Sequence, residues 1–265
     1  MAKVDVSASG GLCLLTLNEP PANTYSYEMM RELDAALLDA RMNRSVHVIV
    51  VTGAGDKFFC AGATIGMLKD ADPDFKYYFC LHANETLNRF EQTPKLVIAA
   101  LNGHTVGGGL EVAMAADLRI ARKDAGKIGL PEVMLGVLPG TGGTQRLARL
   151  VGKARAIDLM VSGRLMSMED AVTIGLVTEV WDDAKLAGRP FLDAVLDYAR
   201  QFCPPHRASL AVGRIKRAVQ SGPEAGLGEG LAIERELQQL LFQSDDAKEG
   251  IAANLEKRKA KFTGS

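Results

Sequence analysis

The chain has 265 residues, of which 47% are hydrophobic and 24% charged, and its net charge at pH 7 is −1. This composition excludes a disordered polypeptide, and the near-neutral charge gives no general electrostatic reason to bind nucleic acid or an anionic membrane. Since no apolar run approaches the roughly 20 residues of a transmembrane helix, we expect neither nucleic acid nor membrane as a partner.

Strand and helix patterns alternate over the first two thirds of the chain. "LCLLTLN" (12–18) and "VHVIVVTG" (46–53) are β-rich runs bounded by turn residues. The segment between them carries apolar residues at helical spacing, whereas "KLVIAALNG" (95–103) is almost continuously apolar, as in a strand covered on both faces. "DLRIA" and "GLVTEV" predict further short strands. This alternation predicts an α/β fold.

The composition changes at "CPPH" (203–206), after which the sequence contains no strand candidate. We therefore expect a core over residues 1–203 and a helical region over 204–265. The basic run "EKRKAKF" near the C-terminus reads most simply as a solvated helix end, where cations favour the helix dipole. The expected helices cover about 206–221, 224–243 and 245–261.

The four cysteines, Cys13, Cys60, Cys80 and Cys203, show neither a CxxC pair nor zinc-ligand spacing. The first residues show no signal-peptide pattern, so we expect reduced thiols and a cytoplasmic location. The histidines are also scattered without metal spacing. We expect no metal site.

Small residues in "KFFCAGATIGML" (57–68) end a predicted strand, and Thr64 is placed to cap a following helix. Such residues allow a ligand to approach the backbone closely. The simpler alternative is a tight turn between a strand and a helix. Cys60 fits a small core residue better than a nucleophile.

Three glycines precede Glu111 in "NGHTVGGGLEVAMAADLRIA" (102–121). They place bare backbone amides at a helix N-terminus, where N–H groups lack intrahelical partners and the helix dipole favours an oxygen that gains negative charge. Glu111 is either part of such a site or a surface residue that complements the dipole. His104, close to the glycines, is expected to be structural.

Glu132 and a second glycine cluster lie in "GLPEVMLGVLPGTGGTQRL" (129–147), where Gly140, Gly142 and Gly143 lead into a helix. The cluster lacks the lysine of a phosphate-binding P-loop and does not fit G-x-G-x-x-G. No serine stands in a G-x-S-x-G hydrolase motif. Two carboxylates and two glycine-rich turns together indicate acid–base chemistry beside an oxyanion hole.

In order and spacing these three stretches resemble the crotonase, or enoyl-CoA hydratase/isomerase, superfamily. The resemblance extends to "PPANTYSYEMMREL", "LMVSGRLMSMEDAVTIGLVTEV" and "EGIAANLEKRKAKF", and so covers nearly the whole chain. It implies an α/β, crotonase-like spiral of ββα units, followed by C-terminal helices that mediate assembly into a trimer or hexamer. It also implies an acyl-CoA thioester as substrate, in fatty-acid or related metabolism, with no further cofactor.

The resemblance also implies roles for individual residues. The amides of Ala63 and Gly108 would bind the thioester oxygen, and Gly108 would admit the substrate carbonyl. Glu111 would be the principal activator of water, and Glu132 would protonate the α-carbon. Contacts with substrate or CoA would come from Ala61, Gly62, Ile65, Gly140, Lys259 and Lys261, the two lysines reaching a neighbouring subunit.

Two positions depart from the usual family pattern. Thr64 stands where aspartate is common, and Gly66 stands where lysine is common. "PPANTYS" also lacks an early basic residue, so CoA phosphates would depend on other cations such as Lys57.

Four functions are compatible with this sequence. Hydration of a 2-enoyl-CoA is favoured because both glutamates are present, whereas isomerases of this fold usually keep only the equivalent of Glu132. An RNA-binding relative is disfavoured by the near-neutral charge. A CoA-binding scaffold without catalysis is the fourth. The acyl group is left open, although the aromatic segment 75–90 could border its pocket or be a packed helix.

Overall fold

The computed structural model describes residues 2–265. Strands and helices alternate as far as α9, and helices alone follow. The elements are β1 (Val4–Ser9), β2 (Leu12–Leu17), α1 (Tyr27–Met42), β3 (Val48–Gly53), β4 (Phe58–Cys60), α2 (Ile65–Asp70), α3 (Pro73–Gln92), β5 (Leu96–Leu101), β6 (His104–Val106), α4 (Gly108–Ala115), β7 (Leu118–Arg122), β8 (Lys127–Gly129), α5 (Gly143–Val151), α6 (Lys153–Ser162), β9 (Met166–Ser167), α7 (Met168–Thr173), β10 (Glu179–Trp181), α8 (Asp183–Leu186), α9 (Phe191–Arg200), α10 (Ser209–Ser221), α11 (Leu227–Phe242) and α12 (Asp245–Leu255). Short 3-10 helices cover Glu132–Leu135 and Gly222–Glu224.

Within residues 2–265 the strands form two sheets. The larger has six strands in the order β1-β2-β3-β5-β7-β10, parallel except for the β1–β2 hairpin. The smaller has four strands in the order β4-β6-β8-β9. Every residue of β3 and β5 is buried, as expected of central parallel strands that are covered on both faces. The predicted α/β fold is confirmed.

Two hydrophobic clusters cover the faces of the larger sheet. One contains the apolar side of α1, with Met30, Leu33 and Leu37, packed against α3 and α4. The other packs Trp181 and Phe191 against the opposite face. Because successive strand residues point to opposite faces, the alternating residues of β3 contribute to both clusters.

The C-terminal helices match the expected ranges closely, except that α12 ends at Leu255. The basic run is therefore not a helix end, and Lys257 there has a positive φ of 54°. Asp246 holds the final segment back by accepting hydrogen bonds from the amides of Thr263 and Gly264. Hydrogen bonds to the Asp246 side chain, rather than a continuing helix, therefore fix the last residues of the chain.

A buried ion pair connects α10 to the core. Lys216 Nζ lies 2.9 Å from Asp117 Oδ2. It also donates to the carbonyl oxygens of Phe90 and Lys95. The division of the chain at residue 203 stays a prediction, and this contact shows that α10 packs on the preceding part of the chain.

Candidate active site

The segments that carry Ala63 and Gly108 meet beyond the carboxyl end of β4. Gly62 adopts a φ of +85°, and a Cβ built on it would lie only 3.0 Å from the amide nitrogen of Gly108. Within residues 2–265, neither the N–H of Ala63 nor that of Gly108 donates a hydrogen bond. Two adjacent donors are therefore available to an oxygen that becomes negatively charged.

Each glycine of the triplet has its own structural reason. Gly107 has a φ of +59°, which side-chain-bearing residues rarely adopt. A Cβ on Gly108 would lie 2.1 Å from the hydroxyl of Tyr25, and one on Gly109 would lie 2.0 Å from the carbonyl oxygen of Cys60. The missing side chain of Gly108 therefore makes room for Tyr25, a reason that the sequence did not reveal.

Glu111 lies in the first turn of α4 and is only 2% exposed, so its interpretation as a surface residue is wrong. Its Oε1 accepts hydrogen bonds from the amides of Thr141 (2.8 Å) and Gly143 (2.6 Å). Its Oε2 accepts one from Thr141 Oγ1. A carboxylate has about four acceptor positions, so one position on Oε2 remains for a further donor such as water.

Glu132 is the first residue of its 3-10 helix and faces the glycine triplet. A Cβ built on Gly107 would lie 3.2 Å from Glu132 Oε1. Its Oε2 is buried and has no hydrogen-bond partner within residues 2–265. Burial, assisted by the negative charge of Glu111, raises the pKa of Glu132 to about 7. Glu132 is therefore suited to carry a proton near neutral pH.

The two carboxyl groups differ in how their negative charge is stabilised. Burial raises the pKa of Glu111 as well, but its hydrogen bonds from Thr141 and Gly143 and the positive charge of Arg146 oppose that rise. Glu132 lacks such donors on Oε2. Of the two groups, Glu111 is the one more readily ionised to a carboxylate, and Glu132 is the one that more readily keeps its proton.

Arg146 connects the glycine-rich loop to α3. It donates to the carbonyl oxygen of Thr141 at 3.1 Å and to Asn88 Oδ1 at 2.8 Å. It also forms a two-pronged ion pair with Glu91, with both N–O distances 2.9 Å. The loop that supports Glu111 is thus fixed to α3.

Sequence reasoning missed three residues of this arrangement, namely Tyr25, Thr141 and Arg146. Thr141 could have been noticed as the hydroxyl residue inside "PGTGG". Nothing in the sequence reveals that Tyr25 and Arg146 are buried beside it, because those contacts join segments far apart in the chain.

The other residues predicted to contact the substrate lie in two segments, the one that carries Ala63 and the loop that precedes Thr141. Ala61 donates its amide to the carbonyl oxygen of Ala22, and Ile65 begins α2 with an exposed side chain. Thr64 occupies the N-cap position of α2, but its side chain forms no capping hydrogen bond, contrary to the prediction. Gly140 precedes Thr141, and its carbonyl oxygen accepts from Asn84.

Lys259 and Lys261 form no hydrogen bond or ion pair with Ala63, Gly108, Glu111 or Glu132 within residues 2–265. The tail that carries them is held elsewhere: the amide of Phe262 donates to the carbonyl oxygen of Pro205, and Gly264 approaches His47. A role for the two lysines in a neighbouring subunit stays a prediction.

Cys60 and His104 have structural surroundings, as predicted. Cys60 is fully buried, and burial raises the pKa of its thiol to about 12. His104 packs on Phe58, and its Nδ1 accepts the amide hydrogen of Lys127. Neither environment is that of an activated nucleophile or base.

Comparison with known proteins decides the family. Residues 7–265 match the family described as Enoyl-CoA hydratase/isomerase. The chain belongs to the enoyl-CoA hydratase/isomerase family. It is 35% identical to the short-chain-enoyl-CoA hydratase of Clostridium acetobutylicum, covering 97% of this chain and 95% of that protein. It is 36% identical to the crotonyl-CoA hydratase of Syntrophomonas wolfei, covering 95% and 94%.

A solved structure of this family agrees closely with the fold. The enoyl-CoA hydratase of Geobacillus kaustophilus HTA426 superposes with a TM-score of 0.95 at 44% identity, covering 100% of this chain and 98% of that one. The predicted family and the predicted crotonase-like fold are therefore confirmed. No helix within residues 2–265 combines the length and apolar character needed to cross a membrane.

Proposed function

We propose that this enzyme adds water reversibly, with syn geometry, across the 2,3 double bond of an enoyl-CoA thioester. The observation that carries the proposal is the contrast between its two glutamates. Glu111 is a buried carboxylate with three hydrogen bonds and one free acceptor position, whereas Glu132 has a buried oxygen without a partner and a raised pKa. One group suits removal of a proton, and the other suits its delivery.

The residues can be arranged into one sequence of steps. Water on the free position of Glu111 gives its proton to that carboxylate while its oxygen bonds to the β-carbon. The electron pair of the double bond moves to the thioester oxygen, where the N–H groups of Ala63 and Gly108 stabilise the enolate. Glu132 then delivers its proton to the α-carbon. Proton return from Glu111 to Glu132 through solvent restores the starting state.

No separate cofactor is required in this proposal, because hydration leaves the overall oxidation level of the substrate and water unchanged. Coenzyme A enters only as part of the substrate. Lys57, Lys259 and Lys261 are the cations that we propose for its phosphates. The two C-terminal lysines would act across a subunit boundary.

Isomerisation of a 3-enoyl-CoA is the main alternative. It needs only an oxyanion hole and one proton-transferring group, for which Glu132 would suffice. The acceptor position that remains on Glu111 Oε2 beside its three donors favours hydration, because that position can bind a water molecule and isomerisation consumes none. A non-catalytic CoA-binding or RNA-binding relative has no need for two such carboxyl groups.

We also propose a trimer or a hexamer assembled through the C-terminal helices. Several apolar side chains on these helices are exposed, namely Ile215, Val219, Leu227, Leu231, Leu240, Phe242 and Leu255. Contact between subunits would remove them from water. Light scattering that gives a stable species of about one chain mass would contradict this assembly.

Cytoplasmic fatty-acid or related metabolism is the proposed setting. The four cysteines are free within residues 2–265, which fits a reducing compartment. A panel of short, branched and aromatic enoyl thioesters would identify the acyl group that the enzyme prefers.

The deciding experiment is the loss of enoyl-thioester absorbance when purified enzyme is mixed with crotonyl-CoA. We expect formation of the 3-hydroxyacyl product, verified by chromatography, and its absence with Glu111→Gln. A wild-type enzyme that converts 3-enoyl-CoA to 2-enoyl-CoA without hydrating it would establish the isomerase instead. No conversion of either thioester would favour the non-catalytic alternatives.

A further inference from the structure

Tyr25 is buried between three parts of the site: the Ala63 segment, Gly108 at the start of α4, and the Thr141 loop. The proposed hydration steps do not use it. Its backbone is paired with the Ala63 segment: its amide donates to the carbonyl oxygen of Gly62 at 2.9 Å, and its carbonyl oxygen accepts from the amide of Thr64 at 3.0 Å. This pairing leaves the N–H of Ala63 unused. The backbone of Tyr25 thus fixes one of the two oxyanion donors.

The side chain of Tyr25 reaches the other two parts. Its ring packs on Phe79, with ring centroids 5.8 Å apart, and its hydroxyl fills the space beside Gly108. The same hydroxyl lies 3.2 Å from Thr141 Oγ1, which is hydrogen-bonded to Glu111 Oε2. A continuous chain of hydrogen bonds therefore joins Tyr25 to the water-activating carboxylate.

The direction of this chain follows from counting hydrogens. An ionised Glu111 can only accept, so Thr141 must use its single hydroxyl hydrogen on Oε2. Thr141 Oγ1 can then only accept from Tyr25, which becomes the donor. Donation by Tyr25 polarises the threonine hydroxyl and strengthens its bond to the carboxylate.

We propose that Tyr25 is a positioning residue whose hydroxyl, acting through Thr141, fixes the Glu111 carboxylate in the orientation that activates water. This inference rests on the proposed hydratase function and refines it. The oxygen of Tyr25 does not need to touch the water or the acyl chain. Its effect on the Glu111 carboxylate is transmitted by Thr141.

The other ionisable groups around Glu111 are few. Glu132 faces Glu111 from the 3-10 helix, Arg146 from α5 and Cys80 from α3. Cys60, the last residue of β4, lies close to Tyr25. None of them lies in the hydrogen-bond chain between Tyr25 and Glu111. A Tyr25 variant therefore changes this chain without removing another charge.

The first test is Tyr25→Phe, which keeps the ring and the backbone pairing. We expect kcat for hydration to fall about three- to tenfold with little change in KM, the size of one neutral hydrogen bond. The acidic limb of the kcat/KM profile should move to higher pH, by about 0.5 unit, because the ionised carboxylate loses support. Tyr198→Phe, on α9 against Trp181, is the matched control and should change neither quantity.

A double-mutant cycle tests whether Thr141 transmits the effect. If it does, Tyr25→Phe should cause little further loss in a Thr141→Ala background. Fully additive losses would overturn the proposal, as would a Tyr25→Phe enzyme with the wild-type kcat and pH profile. Circular dichroism and thermal unfolding of each variant identify any that fail to fold. Thr141→Ser retains the hydroxyl and should restore the dependence on Tyr25.

A measurement without substrate separates this inference from the proposed function. Carbon-13 NMR of labelled glutamate side chains, with Glu111 assigned by Glu111→Gln, reports its titration in the free protein. We expect Tyr25→Phe to raise the titration midpoint of Glu111 and Tyr198→Phe to leave it unchanged. An unchanged midpoint in Tyr25→Phe overturns the relay even if the wild type hydrates crotonyl-CoA. If the wild type does not hydrate crotonyl-CoA, a shifted midpoint still supports the hydrogen-bond chain from Tyr25 to Glu111 and overturns only the proposed function.

Discussion

Glu111 and Arg146 form hydrogen bonds with opposite ends of the Thr141 backbone, its N–H and its carbonyl oxygen. Glu111 Oε1 accepts the amide hydrogen of Thr141 at 2.8 Å, and Arg146 donates to the carbonyl oxygen of the same residue at 3.1 Å. Arg146 is in turn fixed by Glu91 on α3. The orientation of the carboxylate therefore depends on an ion pair that does not itself contact it.

We expect Arg146→Met to damage both stability and activity. Removing the guanidinium leaves Glu91 largely buried without its partner and frees the carbonyl of Thr141. The free energy of unfolding should fall by about 2–4 kcal/mol, somewhat less than for a fully buried pair. Denaturant titration measures this loss, and hydration at a temperature where the variant is folded should show a lower kcat.

Arg149→Met is the control on the same helix. Arg149 pairs with Glu224, but both side chains are 56% exposed, so the ion pair is screened by water. We expect no measurable change in the free energy of unfolding and an unchanged kcat. If both variants lost the same unfolding free energy, the loss would come from removing any arginine on α5, and not from breaking the ion pair between Arg146 and Glu91.

The raised pKa of Glu132 predicts a pH dependence of catalysis. As an acid it must carry its proton, so kcat/KM should fall as the pH rises through about 7. Glu132→Gln should lower turnover at least about 10²-fold and abolish this alkaline limb. The profile reports the coupled pair, so both limbs should be fitted together. An alkaline limb that survives in Glu132→Gln would place the titrating group elsewhere.

The same group also makes stability depend on pH. The pKa of Glu132 is higher in the folded protein than in the unfolded chain, so its protonated form favours folding. This contribution is complete below about pH 4.5 and is lost as the pH rises through about 7. The difference in unfolding free energy between Glu132→Gln and the wild type should therefore favour the variant more at pH 8 than at pH 5. Thermal unfolding of both proteins at the two pH values would measure this difference.

Much of the larger sheet could be predicted from the sequence, because β2, β3 and β5 are six-residue strands made mostly of apolar residues. The smaller sheet could not. Its strands have two or three residues, too few for a periodic pattern, and they pair only because distant segments meet. The end of α12 was misplaced because a basic run fits a helix end as well as a turn.

The site divides in the same way. Glu111 and Glu132 stood out because a carboxylate in an apolar segment needs an explanation. Tyr25 and Thr141 did not, since their importance comes from a hydrogen bond between residues 116 positions apart. Such contacts are set by tertiary packing, which neither composition nor spacing records.

Gly108→Ala tests the close packing of Tyr25 against α4. The added Cβ would lie 2.1 Å from the hydroxyl and 2.6 Å from two ring carbons of Tyr25, so either the ring or the helix must move. Displacing the Gly108 amide should reduce hydration and α-proton exchange together, by about 10²-fold. Isotope exchange at the α-carbon, followed by NMR, measures the second quantity.

Gly228→Ala provides the corresponding control, because a Cβ at this helical position meets nothing within 4 Å. It should leave both rates unchanged and stabilise the fold by up to about 1 kcal/mol through helix propensity. If Gly108→Ala lowers hydration but not α-proton exchange, the Gly108 amide does not stabilise the enolate.

Glu111→Gln separates water activation from proton transfer at the α-carbon. The amide oxygen of glutamine can still accept from the backbone N–H groups of Thr141 and Gly143, so the loop keeps its main support. Without a carboxylate to take the proton of water, hydration of a 2-enoyl thioester should fall at least about 10²-fold. Any isomerisation of a 3-enoyl thioester should fall much less, because it consumes no water and can use Glu132. Parallel assays with both thioesters measure the split, and Glu132→Gln should lose both activities. If Glu111→Gln hydrates as fast as the wild type, Glu111 does not activate water and isomerisation becomes the better proposal.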